Sequence, residues 1–458
     1  MSIRLRPDHM WFRSRDGRQL VAGSPLTFFS VTEAGSAILT SVQNNDLLTD
    51  GHEKLTDRLV AAGAAHPLWH IPVPPDQLTV VIPAFLRESR DFDRLARLVR
   101  TLQPLNVIVV DDCSPEPIVL ADATVMRHET NRGPGAARNT GLSGVTTPFV
   151  AFVDDDAFPK CDDLQRLATQ MNDTRVALVA PRIRSTDNGR LTGEYEQQYS
   201  PLDLGPHPTI VRPLSRVPYV PATVLVCRTE VVRSLGGFDE SMRIGEDVDF
   251  VWRIAAAGHL CRYEPTISCE HETRPTVRQL LKQRYSYGSS AAALARRHGS
   301  AATPLRANIV MLVPAATLLL GYAWIFLPLL PFVYVWYLLT LHRSHLSYRD
   351  RVRITSLGLM STIRLTASAV ARVWWPVFLL LGLFVFSPGF ALFASLMIPA
   401  LYGLVRHRPQ RVLGYMGLRM LDGLAYGAGV WSGALREKSF RCLMPTVTGS
   451  ALRLRSKG

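Results

Sequence analysis

The chain has 458 residues, 47% of them hydrophobic, and a formal net charge of +13 at pH 7, which allows two or three domains and a sizeable core. The charge is divided: from Thr273 onward 23 Lys or Arg stand against 3 Asp or Glu, whereas residues 1–272 carry 28 against 35. Because the basic part also holds the long apolar segments, the excess points to an anionic membrane surface and away from nucleic acid.

Residues 1–70 read as a small α+β unit. Arg15-Asp16-Gly17-Arg18 is a hairpin-turn signal between short apolar pieces. Thr32 is placed to cap a helix through Ala37, Ile38 and Leu39, and a second helix is expected at about Glu53 to Ala62. No long apolar run occurs in the first 30 residues, so no signal peptide is expected. Pro67, Pro72, Pro74 and Pro75 then mark a stiff linker, placed at 71–77. The six cysteines, Cys113, Cys161, Cys227, Cys261, Cys269 and Cys442, form no CxxC pair and no zinc-ligand spacing, and read as reduced thiols.

From Leu78 the pattern becomes strand, helix, strand. LTVVIPAF is a buried strand, and Phe92, Leu95, Leu98, Val99 and Leu102 recur at helical spacing. NVIVVDDCSP is a second strand ending in Asp111 and Asp112, and a third lies near Thr124 to Arg127. The alternation predicts a doubly wound, mostly parallel sheet. In NRGPGAARNTGL, Gly133 and Gly135 let the backbone approach a ligand, and the following helix aims its first amides, with Arg138, toward an anion. PFVAFVDDDAFP then delivers Asp154, Asp155 and Asp156 to a strand mouth, where ligands of open α/β sheets bind. Three adjacent carboxylates fit a hard divalent metal beside a phosphate-bearing substrate; they also fit an acidic strand-to-helix turn. GEDVDFVWRIAAAG opens an amphipathic helix with Glu246 and Asp247, acids that can take a proton from an attacking hydroxyl or merely stabilise a helix N-terminus.

The series VVIPAF, VIVVDDCS, NRGPGAARNTG, FVDDDAF, GGFDE and GEDVDFVWR, in that order over roughly residues 78–290, resembles the nucleotide-sugar domain of the family 2 glycosyltransferases, which have the GT-A fold. The resemblance implies such a domain over 78–300, with Asp111 and Asp112 on the base and ribose of a nucleoside diphosphate sugar. Pro83 and Ala84 would line the same pocket, with Arg138 near it. Asp154 and Asp156 match the DxD element that holds a divalent ion, Mg2+ or Mn2+, and Asp155 between them joins the nucleotide-sugar side, the ligand assignment within the triplet staying open. Asp247 becomes the base, with Glu246 orienting it or an acceptor hydroxyl. His271, in CEHET, is implied at the metal or diphosphate, or serves as a structural histidine. RQLLKQRYSYG is faintly similar to the QxxRW element of processive relatives through Gln283, Arg284 and Tyr285, but it has no Trp, and Arg278, Lys282 and Arg284 fit the diphosphate or lipid headgroups instead.

Ala307 to Leu341 and Val373 to Val405 are 35 and 33 residues without a formal charge, long for one crossing and tight for two. Pro328 and Pro331 are expected to interrupt the first run, and Ser387-Pro388-Gly389 to turn the second. Arg296, Arg297 and Arg306 before the first run, Arg343, Arg349, Arg351, Arg353, Arg364 and Arg372 between the runs, and Arg406, Arg408 and Arg411 after the second put every flank on the cytoplasmic side. The expectation is two helical hairpins within 301–411, crossing the bilayer or dipping into it, joined by a basic interfacial connection. Residues 412–458 follow as an interfacial helix and a basic tail: Arg419 and Asp422 are too costly to face lipid, so the helix is expected to pack on the catalytic domain, closely at Gly427, Gly429 and Gly433.

The N-terminal hairpin, SPLTFFSVTEAG and helices resemble PqqD-like winged-helix units that hold precursor peptides; they also fit a plain structural cap. The whole order of parts resembles the mycofactocin system glycosyltransferases of actinobacteria. That resemblance implies an inverting, metal-dependent hexosyltransferase at the cell membrane with its catalytic domain on the cytoplasmic side. It would transfer glucose from UDP-glucose to the peptide-derived redox cofactor mycofactocin or its precursor as a β-linked oligomer, in contact with other maturation enzymes of the pathway. Alternatives are a glycosyltransferase acting on a polyprenyl, lipid or polysaccharide acceptor, and a non-catalytic membrane scaffold binding precursor peptide. The acceptor pocket is expected around Thr192 to Pro221, where Tyr195, Tyr199 and Tyr219 can stack on an acceptor or pack a surface loop.

Overall fold

The computed structural model describes residues 3–48, 53–69 and 71–449; the basic tail beyond residue 449 lies outside them. The N-terminal unit has strands β1 (Ile3–Pro7), β2 (Trp11–Arg13), β3 (Gln19–Ala22) and β4 (Thr27–Ser30), helix α1 (Glu33–Asn44), β5 (Leu47–Leu48), α2 (Glu53–Ala61) and β6 (Ala65–Leu68). Gly17, at φ 72°, turns β2 into β3, which is where the sequence places the hairpin. The Thr32 hydroxyl accepts from the Gly35 amide and caps α1. Two three-stranded sheets and the helices close on Leu5, Leu20, Phe29, Leu39 and Leu59.

The central part runs through β7 (Leu78–Ala84), α3 (Ser89–Thr101), β8 (Asn106–Asp111), β9 (Thr124–Arg127), α4 (Pro134–Ser143), β10 (Phe149–Val153), β11 (Ala157–Phe158), α5 (Cys161–Ala168), β12 (Val176–Ser185), α6 (Leu191–Tyr199), β13 (Thr209–Val211), β14 (Val224–Arg228), α7 (Thr229–Ser234), α8 (Glu246–Ala256), β15 (Leu260–His271), α9 (Val277–Ser289) and α10 (Ala291–His298). Its sheet has the order β11-β15-β12-β14-β10-β7-β8-β9, with β13 on β15. The run β10-β7-β8-β9 is parallel, as the alternation predicts, but β14 is antiparallel to both β10 and β12. The sheet is therefore mixed. The connection from β12 leaves the mouth, pairs as β13 with the start of β15 at the opposite end, and returns, so β14 starts at the mouth with Val224 beside Val153 and runs back. The central strands are apolar on both faces, Val80, Ile82, Val150 and Phe152 being fully buried between two helical layers.

After β16 (Arg306–Asn308) come α11 (Ile309–Leu319), α12 (Ala323–Thr340), α13 (Tyr348–Ala369), a π turn at Val370–Trp374, α14 (Trp375–Gly382), α15 (Phe386–His407), α16 (Val412–Arg436) and β17 (Thr446–Thr448). Three helical stretches, Ala323–Thr340, Tyr348–Gly382 and Phe386–His407, are long and apolar enough to cross a membrane. Pro328 and Pro331 do not interrupt the first run; both lie inside α12, and the break falls at Leu320–Tyr322, where Gly321 adopts φ 85°. The second turn is at Leu383–Val385, and Ser387-Pro388-Gly389 belongs to the first turn of α15, where a proline costs no helical hydrogen bond. The basic stretch expected as a connection is itself helical, forming α13. Helix α16 lies along α9: a Cβ on Gly429 would overlap the carbonyl oxygen of Tyr285, and one on Gly433 that of Ser289.

Candidate active site

Strand mouths, the glycine loop and the start of α8 enclose a cavity of about 1070 Å³. Pro83, Ala84, Asp112, Arg138, Asp154, Asp155, Asp156, Glu246, Asp247 and His271 all line it, so motifs up to 188 residues apart in the chain meet in one place. Asp111 does not line it. Its carboxylate is turned inward, accepting from the Ser114 and Ile118 amides and pairing with Arg127, because the loop after β8 would otherwise leave those donors orphaned. Asp112 is the functional-looking member of the pair. Its oxygens accept from His128 Nδ1 at 2.7 Å, the Arg132 amide at 2.8 Å and the Gly133 amide at 2.7 Å, fixing the glycine loop above the cavity.

Arg138 is the electrostatic centre. It is buried in α4 and donates to Asp154 Oδ1 at 2.6 Å and to Glu246 Oε1 at 2.9 Å, joining the end of β10 to the start of α8. Burial disfavours its charge, but the two carboxylates outweigh that and raise its pKa. Glu246 is pushed up to about 7 by burial and by the charge of Asp247, against the pull of Arg138. Asp247 is also raised, burial being the main cause, although the Val248 amide at 2.8 Å and the Ala222 amide at 3.3 Å hold its carboxylate. A buried carboxylate of raised pKa is a better proton acceptor near neutrality.

The acid triplet splits. Asp155 pairs with Arg94 at 2.8 Å, and burial beside Asp156 still lifts it to about 7. Burial would raise Asp156 too, yet His271 Nε2 at 3.2 Å and Arg274 at 3.4 Å hold it well below the carboxylate range. Burial disfavours the charged His271 ring, but Asp156 overcomes this and raises its pKa. Among the described residues no group of three or more His, Cys, Asp or Glu is gathered into a complete cation cage. Asp154 and Asp156 nevertheless face one cavity as hard oxygen donors, which fits a divalent ion bound by one or two carboxylates and completed by substrate phosphates.

The far end of the cavity is aromatic and apolar, lined by Tyr219, Trp252, Tyr287, Leu294, Val373, Tyr426 and Val430. Sequence reasoning found Tyr219 but not the others from α9, α10, the π turn and α16. For Tyr195 and Tyr199 the packing alternative is the one met: the Tyr195 hydroxyl donates to Asp422 Oδ2 at 2.9 Å, and Tyr199 packs on Tyr195, on Tyr415 and under Arg419. Arg284 is likewise absent from the cavity wall. It is buried between Glu196 at 2.7 Å and Asp422 at 3.2 Å, whereas Lys282 does line the cavity. Arg94 and Arg274 carried no signal in the sequence, since only the fold brings their guanidinium groups to the triplet.

Residues 79–233 match the glycosyl transferase family 2 description. The chain is 35% identical over 463 aligned positions to the pre-mycofactocin glycosyltransferase of Mycobacterium tuberculosis, covering 94% of this chain and 95% of that protein. It is 23% identical over 209 positions to an uncharacterized glycosyltransferase of Haemophilus influenzae, covering 43% of this chain and 69% of the other. Among solved structures, a mannosyltransferase from Pyrobaculum calidifontis covers 77% of this chain and 89% of its own at 19% identity and a TM-score of 0.40. With the glycine loop, acid triplet and Glu246-Asp247 pair gathered at the mouths of a mixed α/β sheet, the chain belongs to the family 2 glycosyltransferases and, within them, to the family of the Mycobacterium tuberculosis pre-mycofactocin enzyme.

Proposed function

We propose that the chain transfers glucose from UDP-glucose, with inversion, to pre-mycofactocin at the cytoplasmic face of the cell membrane, and that repeated transfer builds a β-linked oligosaccharide. The observation that carries this reading is the continuity of one cavity, charged at the glycine loop and triplet, aromatic at the α16 end, with Asp247 between. The diphosphate lies over the amides that open α4, facing Arg138, Arg274 and Lys282. A divalent cation, held by Asp154 and Asp156 with His271 beside them, neutralises leaving-group charge when bound. Asp247 takes the proton of the acceptor hydroxyl. The acceptor oxygen then bonds to the sugar C1 as the C1–O bond to the diphosphate breaks, and the electron pair leaves with UDP. Glu246, fixed by Arg138, positions the acceptor hydroxyl toward Asp247. Tyr219 and Tyr287 flank the acceptor; neither hydroxyl has a hydrogen-bond partner among the described residues, so both are available to it.

In this reading the N-terminal unit receives the peptide-derived acceptor or its maturation enzymes. Its support is proximity: Arg216 donates to Asp8 at 3.0 Å and its amide to the Ser24 hydroxyl at 2.7 Å, docking the unit on the loop that carries Tyr219. The test uses the purified full chain in detergent with UDP-glucose and pre-mycofactocin, read by mass spectrometry. The native chain should yield products spaced by one hexose, and Asp247→Asn should lose turnover by ~10²–10⁴-fold while binding UDP as before. Undiminished turnover by Asp247→Asn would refute the base assignment, and hexose transfer to lipid extract alone would refute the acceptor.

A further inference from the structure

The three carboxylates that follow β10 are met by four basic side chains, and three of the four are tied down. Arg138 spans Asp154 and Glu246 from inside α4. Arg94 holds the Asp155 carboxylate at 2.8 Å, the Asp155 carbonyl at 3.0 Å and Glu272 at 2.9 Å. His271 is buried in β15, which pairs it with Ala157. Arg274 differs. Its one polar contact among the described residues is Asp156 Oδ2 at 3.4 Å, and its side chain is 40% exposed. Water screens such a pair and makes it weak. The main chain on either side is nevertheless fixed. The Thr273 hydroxyl donates to the Thr186 carbonyl at 3.1 Å, Arg190 donates to the Pro275 carbonyl at 3.1 Å, and the Thr276 hydroxyl accepts from the Gln279 amide at the start of α9. The Arg274 guanidinium can therefore leave Asp156 by rotation of its own side chain, with no rearrangement of the loop.

The carboxylate oxygens decide what that rotation does. Asp154 Oδ1 accepts from Arg138 at 2.6 Å, and Asp154 Oδ2 has no partner among the described residues. Asp156 Oδ1 lies 3.2 Å from His271 Nε2, which leaves Oδ2, the oxygen that Arg274 meets, to receive a divalent ion. A guanidinium and a dication exclude one another there, because both are positive and both use the same lone pairs. Arg274 also lines the cavity beside Arg138 and Lys282. A guanidinium released from Asp156 thus stays within a cluster of cations suited to phosphate oxygens, to which it can offer paired donors.

We infer that Arg274 competes with the divalent ion for Asp156 Oδ2 and turns to the diphosphate when ion and nucleotide bind, so that the chain takes up the two as a pair. The inference rests on the metal and diphosphate positions proposed above and deepens them. Removing Arg274 takes a competitor from the ion and a partner from the nucleotide, so the two affinities should move in opposite directions. The full chain in detergent is titrated with Mn2+ alone, read by the electron paramagnetic resonance of the unbound ion, and with UDP at saturating Mn2+, read by calorimetry. Arg274→Gln should bind Mn2+ alone about threefold tighter or more, and UDP with Mn2+ roughly tenfold more weakly or worse. Arg278→Gln removes the same charge from an exposed position of α9 outside the cavity, and should leave both affinities at the native values. If Arg274→Gln binds Mn2+ alone no more tightly than the native chain, or UDP no more weakly, or if Arg278→Gln shows the same pair of shifts, the inference is overturned and the metal site stands. A native chain that binds UDP equally with and without Mn2+ overturns the metal site and the inference with it.

Discussion

Replacing Arg284 tests whether the carboxyl-terminal helix is held by a buried charge cluster. Arg284 is 1% exposed and reaches Glu196 at 2.7 Å and Asp422 at 3.2 Å, the latter also receiving the Tyr195 hydroxyl. At an effective dielectric of about 20, each pair is worth ~4 kcal/mol before desolvation. Arg284→Met leaves two carboxylates facing each other in a dry interface, a loss of ~3–5 kcal/mol. That amounts to a fall in melting temperature of roughly 6–20 °C at 2–4 °C per kcal/mol. Removing the whole cluster, as Arg284→Met with Glu196→Gln and Asp422→Asn, should recover most of the loss, since fully replaced buried clusters are close to neutral. Tryptophan-fluorescence melts of the full chain in detergent read the effect. A single variant within ~0.5 kcal/mol of the native chain, far below the ~3–5 kcal/mol expected, or a triple variant that recovers none of the loss, would refute the argument.

Ala291→Leu projects a larger side chain into the aromatic end of the cavity; the acceptor KM should rise by about tenfold or more, a loss of ~1.4 kcal/mol, with hydrolysis of the sugar nucleotide in steady-state assays unchanged. Gly429→Ala forces α16 off α9 at the Tyr285 carbonyl, and the same melts should show ~1–3 kcal/mol of destabilisation. Acid should weaken the N-terminal unit. Burial lowers His66 from 6.5 to about 4, so between those values the unfolded chain binds a proton that the folded chain does not, and stability falls as pH drops. Asp8 acts in the same direction at lower pH: burial would raise it, but hydrogen bonds from His66 and Arg216 keep it well below its ordinary range. Melting temperatures at pH 7 and pH 5 should therefore differ less in His66→Asn than in the native chain, and equal differences would rule this out.

Periodicity made β7, α3, β8 and β10 legible, because buried parallel strands and one-sided helices impose their own spacing on sequence. Cap chemistry did the same at Thr32. The reversal of β14 was hidden because strand direction depends on where a connection ends, not on the strand's composition. Prolines misled in α12, where the helix continues through Pro328 and Pro331 and a positive φ at Gly321 makes the turn. Asp112, the acid triplet, Glu246 and Asp247 could be grouped from sequence because each sits at a strand end or helix start, and with Arg138 they line one cavity. Asp111 was not distinguishable from Asp112, since adjacent residues of one strand point to opposite sides. The aromatic end was illegible because it is assembled from α9, the π turn and α16, which no local pattern relates to the strand mouths.

The position of α16 in the chain has a consequence for biosynthesis. The strands that bear Asp112, Asp154 and Asp247's neighbours leave the ribosome early, but Tyr426 and Val430, which wall the cavity, are made only after both hairpins. Domains fold as they emerge, so the nascent catalytic sheet is an open trough until α16 has docked. An incomplete polypeptide thus lacks the wall that closes its cavity, and the catalyst is completed by the last helix made.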